Sequence, residues 1–251
     1  MDTQNKLNET WEFCKRQYGS DRCIALALHG SQNYELDLPS SDIDAKLFIT
    51  PTWDEVVFSK QPISKTISGP YGDVNVTDVR MFIGNCLKKQ NFNFLECLFT
   101  PYSCVNPAYA DLWNELIDIR EKVAHMYPSN AVRTMMGQVE NQYGRWGRFD
   151  NCKTLYHMMR IVSAIRTYLN KQPFADTLIP ENKEEIMQVR YGNMSETEMD
   201  TLFKALYEEA HWLVENQPYT GVSFPESCGL MLDELQRQFV YRALYELVIE
   251  E

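Results

Sequence analysis

Residues 29–44 decide the expected fold, and they read His-Gly-Ser-Gln-Asn-Tyr-Glu-Leu-Asp-Leu-Pro-Ser-Ser-Asp-Ile-Asp. The apolar run at residues 23–28 that precedes them predicts a buried strand, with a helix as the alternative because of its alanines. Residues 45–49 predict a second strand, which Pro51 ends. The sequence therefore predicts a strand, a polar loop that begins with Gly-Ser, and a second strand that Asp-Ile-Asp opens.

The polar side chains of this stretch suit a phosphate group and a divalent cation. Gly30 has no side chain, so a phosphate can approach its backbone closely. Ser31 adds a hydroxyl donor, and we expect it to begin a helix whose free N–H groups favour an anion. Two apart on a strand, Asp42 and Asp44 point to one face while Ile43 points into the core. Neighbouring carboxylates repel each other unless a cation lies between them, and Mg²⁺ (or Mn²⁺) takes carboxylate and phosphate oxygens together.

This combination resembles the DNA polymerase β nucleotidyltransferase superfamily, whose motif is apolar-Gly-Ser, a spacer, then Asp-apolar-Asp. Within it, the chain is similar to the predicted nucleotidyltransferases found beside RNA ligases, which read roughly Gly-Ser-x-x-Tyr-Gly-Leu-x-x-x-x-Ser-Asp-x-Asp. Glu35 stands where that family usually has glycine. The matching residues are Gly30, Ser31, Tyr34, Leu36, Ser41, Asp42 and Asp44.

The superfamily implies a third carboxylate on an adjacent strand, and residues 73–80 are similar to its strand-then-helix segment. Asp73 and Asp78 compete for that role. Asp73 points to the polar face of the predicted strand. Asp78 stands at the start of the next helix, where a carboxylate ordinarily caps the helix. We therefore favour Asp73 as the third catalytic and metal-binding carboxylate.

A basic helix supplies the next similarity. Lys153-x-x-x-His157-x-x-Arg160 resembles the family's Lys-x-x-x-His-x-x-Arg helix, and this spacing puts the three side chains on one stripe. Residues 133–171 hold seven Lys or Arg against two Asp or Glu, although the whole chain has a net charge of −11. We expect the stripe to bind the triphosphate or an acceptor phosphate. The alternatives are a solvated basic face and a structural role for His157.

Residues 90–98 are similar to the family's Asn-Pro-x-x-x-Glu-x-Leu segment, with Phe92 in place of proline. Glu96 lies among apolar residues there. A buried partner for a basic group and a catalytic carboxylate are both open interpretations. Arg145 and Arg148 are weaker candidates for phosphate contacts.

Apolar periodicity places most strands before residue 104 and helices after it. We predict an α+β fold in which residues 1–104 form a small mixed-sheet, polymerase β-like catalytic domain and residues 105–251 form a helical domain. The local predictions are a helix over residues 3–18 that ends at Gly19, a hairpin over residues 63–77, and capping boxes at Thr52–Glu55 and Ser195–Glu198.

The composition limits where the protein is expected to be located and which partners it is expected to bind. No apolar run near the N-terminus is long enough to span a bilayer, and residues 1–20 lack the apolar segment of a secretory signal. The seven cysteines include no C-x-x-C pair, so we expect reduced thiols. We therefore expect a cytoplasmic protein with no membrane partner. The negative net charge of the chain argues against binding along the length of a nucleic acid, but it permits the binding of a single nucleic-acid end.

Together these features predict a metal-dependent nucleotidyltransferase that moves a nucleoside monophosphate from a nucleoside triphosphate to an acceptor hydroxyl. The family's association with RNA ligases suggests an RNA end as the acceptor by analogy. A protein side chain and a small molecule are the other acceptors. A non-catalytic nucleotide-sensing or partner-binding module on the same fold is the alternative function, and a purely structural interaction protein is the third.

Overall fold

A mixed sheet of five strands forms one layer of the fold in the computed structural model, which describes residues 2–217, 219 and 225–249. The strand order is β3-β4-β2-β1-β5. Strands β2 and β4 are parallel, and the other three neighbouring pairs are antiparallel. The strands are β1 (Cys23–Leu28), β2 (Ala45–Ile49), β3 (Ser64–Ser68), β4 (Asp73–Asp78) and β5 (Ser103–Val105).

The helices cover both faces of this sheet. A π-helical segment, Phe82–Leu87, follows α3 directly. Single 3-10 turns lie at Ser31–Tyr34, Glu96–Leu98 and Pro107–Tyr109. The α-helices are α1 (Thr3–Tyr18), α2 (Trp53–Val57), α3 (Val79–Met81), α4 (Phe92–Leu95), α5 (Ala110–Asp118), α6 (Arg120–Ala124), α7 (Pro128–Arg145), α8 (Asn151–Leu169), α9 (Phe174–Leu178), α10 (Lys183–Arg190), α11 (Glu196–Asn216) and α12 (Pro225–Ile249).

The central strands explain why their sequences are apolar throughout. Every residue of β1 and β2 is buried, because helices lie on both faces of the sheet there. Strand β3 is at an edge and most of its residues are exposed, which fits its polar sequence. The predicted strands at residues 23–28 and 45–49 are confirmed.

Several local predictions are also confirmed. Helix α1 ends at Gly19, whose φ of 89° is readily adopted by glycine. The capping boxes that begin α2 and α11 are both formed. Strands β3 and β4 form the predicted hairpin, and its turn is closed by a hydrogen bond of 2.8 Å from the Gly69 N–H to the Gly72 carbonyl.

The core lies in two parts on opposite faces of the sheet. The smaller cluster packs α1, through Leu7 and Trp11, against strand residues such as Leu47. The larger cluster joins Phe48 of β2 to Leu155 of α8 and to side chains of the later helices. These packing layers confirm the α+β class, while the division into domains at residue 104 stays a prediction. Across the described ranges, no helix combines the length and the apolar character that a membrane span requires.

Candidate functional site

A cleft of about 580 Å³ opens between the loop that follows β1 and the helices α7, α8 and α10. It collects candidate residues from distant parts of the sequence. The loop wall includes His29, Gly30, Ser31, Tyr34, Asp42 and Asp44. The helical wall includes Gln142, Lys153, Tyr156, His157, Arg160 and Arg190.

Gly30 turns the chain from β1 into the cleft. Its φ is +101°, a conformation that other residues rarely adopt. A Cβ atom built on Gly30 would meet no atom within 4 Å, so the residue faces open space. The expected helix after Gly30 is shorter than predicted, because Ser31–Tyr34 is a single 3-10 turn. The Asn33 N–H closes this turn on the Gly30 carbonyl at 3.0 Å.

Glu35 follows the turn in the left-handed conformation, with φ 54° and ψ 36°. This is the backbone geometry that glycine adopts at little cost. The departure from the family's glycine therefore leaves a glycine-like backbone turn in place. The Glu35 carboxylate forms an ion pair with Lys183 of α10, which ties the turn to the helical wall.

The two aspartates lie just before β2, and not on the strand as predicted, because β2 begins at Ala45. Backbone hydrogen bonds still hold this segment on both sides. The Ile43 N–H donates to the Tyr71 carbonyl at 2.9 Å, and the Asp44 carbonyl accepts from the His29 N–H at 3.1 Å. Ile43 is buried in the core while Asp42 and Asp44 line the cleft. The expected alternation of side chains is therefore present.

Close packing from the hairpin supports the same segment. A Cβ atom on Gly72 would lie 2.6 Å from the Ile43 carbonyl oxygen and 2.8 Å from its carbonyl carbon. Both contacts are with backbone atoms, which cannot move aside as a flexible side chain can. Glycine at position 72 therefore lets the hairpin turn approach the aspartate segment.

The two candidates for a third carboxylate lie at opposite ends of β4. The Asp73 side chain is exposed, and its backbone N–H donates to the Asp44 carboxylate at 3.2 Å. Asp73 is next to the aspartate pair but is not among the residues that line the cleft. Asp78 is completely buried, pairs with Arg80 at 2.7 Å and caps α3. Asp78 is therefore structural, as expected of a capping residue.

The described part of the chain contains no group of three or more His, Cys, Asp or Glu side chains placed to hold a metal ion. Asp42 and Asp44 share the cleft, and Asp73 contacts Asp44 through its backbone. The predicted three-carboxylate set is thus brought close together without being assembled as ligands.

Helix α8 presents the predicted basic stripe to the cleft, in which burial increases from Lys153 to Arg160. Lys153 is exposed, His157 is half-buried and Arg160 is buried. The Arg160 guanidinium lies 4.1 Å from the Tyr34 ring centre and 5.9 Å from that of Phe92. At Arg160 the stripe is not a solvated basic face, because this side chain is buried against two aromatic rings.

Burial, and to a smaller extent nearby positive charges, lower the pKa of His157 to about 3. The imidazole is therefore neutral at pH 7. The charges belong, in decreasing order of effect, to Arg160, Lys153, Arg145 and Arg190. This concentration of cations around one cleft favours the binding of an anion.

Glu96 lines the cleft and is only 1% exposed. The Tyr34 hydroxyl donates a hydrogen bond to its Oε2. Burial raises the pKa of Tyr34 well above its usual range, a shift that Arg160 opposes and the Glu96 charge reinforces. Glu96 is therefore a buried acceptor that faces the cleft.

Sequence reasoning did not identify Gln142 of α7 and Arg190 of α10 as cleft residues. Each lies on a different helix from the basic stripe, and no local pattern marks it. His29 also lines the cleft, and the feature of the sequence that pointed to it was its position directly before Gly30.

The chain was also compared with known proteins. No protein-family model matches it, and no curated protein matches it at a significant level. The resemblance to the nucleotidyltransferase superfamily remains a prediction that the motif residues carry.

Proposed function

We propose that the chain is a metal-dependent nucleotidyltransferase that transfers a nucleoside monophosphate from a nucleoside triphosphate to an acceptor hydroxyl. One observation carries this proposal. The carboxylates of Asp42 and Asp44 and the basic side chains of Lys153 and Arg160 line the same cleft. A triphosphate with its divalent cation suits such a cleft, because the cation pairs with the carboxylates and the phosphate oxygens with the basic groups.

The residues present fit a magnesium or manganese ion. Mg²⁺ is usually held by one or two carboxylates together with substrate phosphates and water, so a set of three protein ligands is not required. Asp42 and Asp44 are the residues that would hold it, with Asp73 as the third carboxylate. When bound, such an ion activates the attacking oxygen and stabilises the negative charge of the leaving group.

The chain's own residues would bind and orient the substrate. The open space at Gly30 leaves room for a phosphate at the backbone, and the Ser31 hydroxyl can donate to it. Lys153, His157 and Arg160 would contact the nucleotide from the opposite wall. The acceptor hydroxyl would give up its proton to a carboxylate, for which Asp73 is the candidate. Its oxygen would attack the α-phosphorus while the bond to pyrophosphate breaks. An RNA end is the acceptor that the family resemblance suggests.

The test is to incubate the purified protein with Mg²⁺, each labelled triphosphate and a mixed RNA pool. We expect labelled monophosphate to be attached to an acceptor, and Asp44→Asn to abolish the transfer. Asp54→Asn is the matched control, because Asp54 is exposed on α2 and does not line the cleft. Transfer that survives Asp44→Asn would refute the assigned role of this carboxylate.

A second function is a module that binds a nucleotide without catalysis, because the basic side chains that line the cleft would hold a triphosphate whether or not transfer follows. Triphosphate binding with no transfer to RNA, protein or small molecules would support this second function.

A further inference from the structure

Three nearly buried side chains that line the cleft, a set that we call its inner end, have buried polar atoms without hydrogen-bond partners in the described structure. They are Oε1 of Glu96, Nε and Nη1 of Arg160, and Oε1 of Gln142. The residues are 1%, 6% and 8% exposed, and all three line the cleft. Buried polar groups of native proteins are nearly always hydrogen-bonded, so four such atoms on residues that line one cleft indicate a site for a polar ligand.

The imidazole of His29 does not satisfy Oε1 of Glu96. His29 Nδ1 lies 3.5 Å from Oε1, which is beyond the usual range of an N–H···O hydrogen bond. The other carboxylate oxygen, Oε2, already accepts from the Tyr34 hydroxyl. Glu96 therefore has one oxygen free for a donor on a ligand.

Tyr34 contacts both the Glu96 carboxylate and the Arg160 guanidinium. Its hydroxyl contacts Glu96, while the Arg160 guanidinium lies over its ring face at 4.1 Å from the ring centre. Within the described chain no ion pair joins Glu96 to Arg160. The acceptor of Glu96 and the donors of Arg160 thus both lie next to Tyr34, on buried side chains.

A phosphate does not suit this position, because the free carboxylate oxygen of Glu96 would repel it. The group that fits is neutral and carries at least two donors and two acceptors. Guanine has this set, since its N1–H and N2 amine donate while O6 and N7 accept, and arginine is a common partner of those two acceptors. Adenine, cytosine and uracil each offer a single donor group on their pairing edge.

We propose that the inner end of the cleft binds the base of a guanine nucleotide, an inference that rests on the proposed function. Glu96 and Gln142 accept from the N1–H and the N2 amine, and Arg160 donates to the acceptor edge. This assignment moves Arg160 from the phosphates, where the proposed function alone would place it, to the base. It leaves Lys153 and His157 of the basic stripe for the phosphates.

The first test is equilibrium binding of the full chain to non-hydrolysable analogues of GTP, ATP, CTP and UTP in the presence of Mg²⁺. We expect the guanine nucleotide to bind about tenfold more tightly than the others, or better. The corresponding inosine triphosphate analogue lacks only the N2 amine, and we expect it to lose most of this advantage. Equal affinity for all four bases, or for guanine and inosine, would overturn the inference.

Two variants test whether Glu96 contacts the base and Lys153 contacts the phosphates. Glu96→Gln keeps an oxygen for the Tyr34 hydroxyl but removes the carboxylate, so the preference for guanine should fall to less than about threefold. Lys153→Ala should weaken all four triphosphates to a similar extent, because Lys153 contacts phosphates on this assignment. If Glu96→Gln fails to fold, the inosine comparison on the unmodified chain still decides.

The outcomes separate this inference from the proposed function. Binding and transfer with no base preference would refute guanine recognition and leave the nucleotidyltransferase in place. Failure of every triphosphate to bind would refute both.

Discussion

The guanidinium of Arg160 lies 4.1 Å from the centre of the Tyr34 ring, which joins helix α8 to the loop that follows β1. Both side chains are buried, at 6% and 3% exposure. Two guanidinium nitrogens nevertheless have no acceptor in the described structure. A buried charge without a full set of partners costs stability, and such a cost is characteristic of sites organised for a ligand.

Replacing Arg160 with methionine removes this charge while keeping most of the side-chain volume. We expect the free energy of unfolding to stay the same or to rise by about 1 kcal/mol, because a desolvated cation is lost. The affinity for the preferred triphosphate should fall about tenfold or more, because charge-assisted hydrogen bonds are lost. Urea denaturation and calorimetric binding measure the two effects.

The control for this variant is Arg166→Met, also on α8, where the guanidinium is paired with Glu209 and lies outside the cleft. It should leave triphosphate affinity unchanged. A fall of more than about 3 kcal/mol in the unfolding free energy of Arg160→Met would show that Arg160 is a structural residue.

The two carboxylates of β4 should respond in opposite ways to replacement by asparagine. Asp78→Asn leaves the partly buried Arg80 without its charge partner, so we expect a loss of about 2–3 kcal/mol in unfolding free energy. Asp73→Asn changes an exposed side chain and should alter stability by less than about 0.5 kcal/mol.

Activity then decides whether Asp73 is the third catalytic carboxylate. We expect Asp73→Asn to reduce transfer sharply while its thermal unfolding curve matches that of the unmodified protein. Normal transfer by this stable variant would remove Asp73 from the site and leave Asp42 and Asp44 as the carboxylate pair.

Much of the fold could be predicted because its signals are local. The apolar run of β1, the Thr52–Glu55 capping box and Gly19 each specify structure through their immediate neighbours. The short edge strand β5 was not predicted, since three residues carry no periodicity. The π-helical segment Phe82–Leu87 could not be told from an ordinary helix by its sequence, because an apolar stripe is common to both.

The site was predictable where a motif keeps its residues close in sequence. Gly30, Ser31, Asp42 and Asp44 come from one stretch, and Lys153 and Arg160 share one helix. The contact between Arg160 and Tyr34 could not be foreseen, because it depends on how α8 packs against the loop. For the inner end of the cleft, the sequence signals were Arg160 of the basic stripe and Glu96, a carboxylate among apolar residues.

Acid should destabilise the protein through His157, whose pKa is lowered to about 3 in the folded state. An unfolded histidine takes up a proton as the pH falls below about 6.5, whereas the folded imidazole stays neutral until about pH 3. Stability from this group is therefore complete above about pH 6.5 and is lost progressively as the pH falls. We expect the unmodified protein to lose more unfolding free energy between pH 7 and pH 5 than His157→Gln does.

Chemical denaturation at pH 7, 6 and 5 measures this difference. His211→Gln is the control for the loss of an imidazole, because His211 lies on α11 outside the cleft. Parallel pH profiles for the unmodified protein and His157→Gln would contradict the lowered pKa.

A methyl group at position 72 should displace the backbone segment that carries Asp42 and Asp44. In Gly72→Ala the new Cβ would lie 2.6 Å from the Ile43 carbonyl oxygen, so the hairpin turn or the aspartate segment must shift. We expect a loss of about 1–3 kcal/mol in unfolding free energy, as for other overpacked sites. Transfer should fall further than stability explains, because Asp42 and Asp44 flank Ile43 and a displacement of about 1 Å disrupts catalytic geometry.

Gly144→Ala on α7 gives the matched comparison, since a Cβ there meets no atom within 4 Å. It should raise the unfolding free energy by about 0.5–1 kcal/mol through better helix propensity. Transfer measured well below the unfolding temperature of each variant separates geometry from stability. If Gly72→Ala transfers nucleotide at the normal rate, the position of the aspartate segment does not depend on the hairpin, and the close contact at Ile43 has no part in the chemistry.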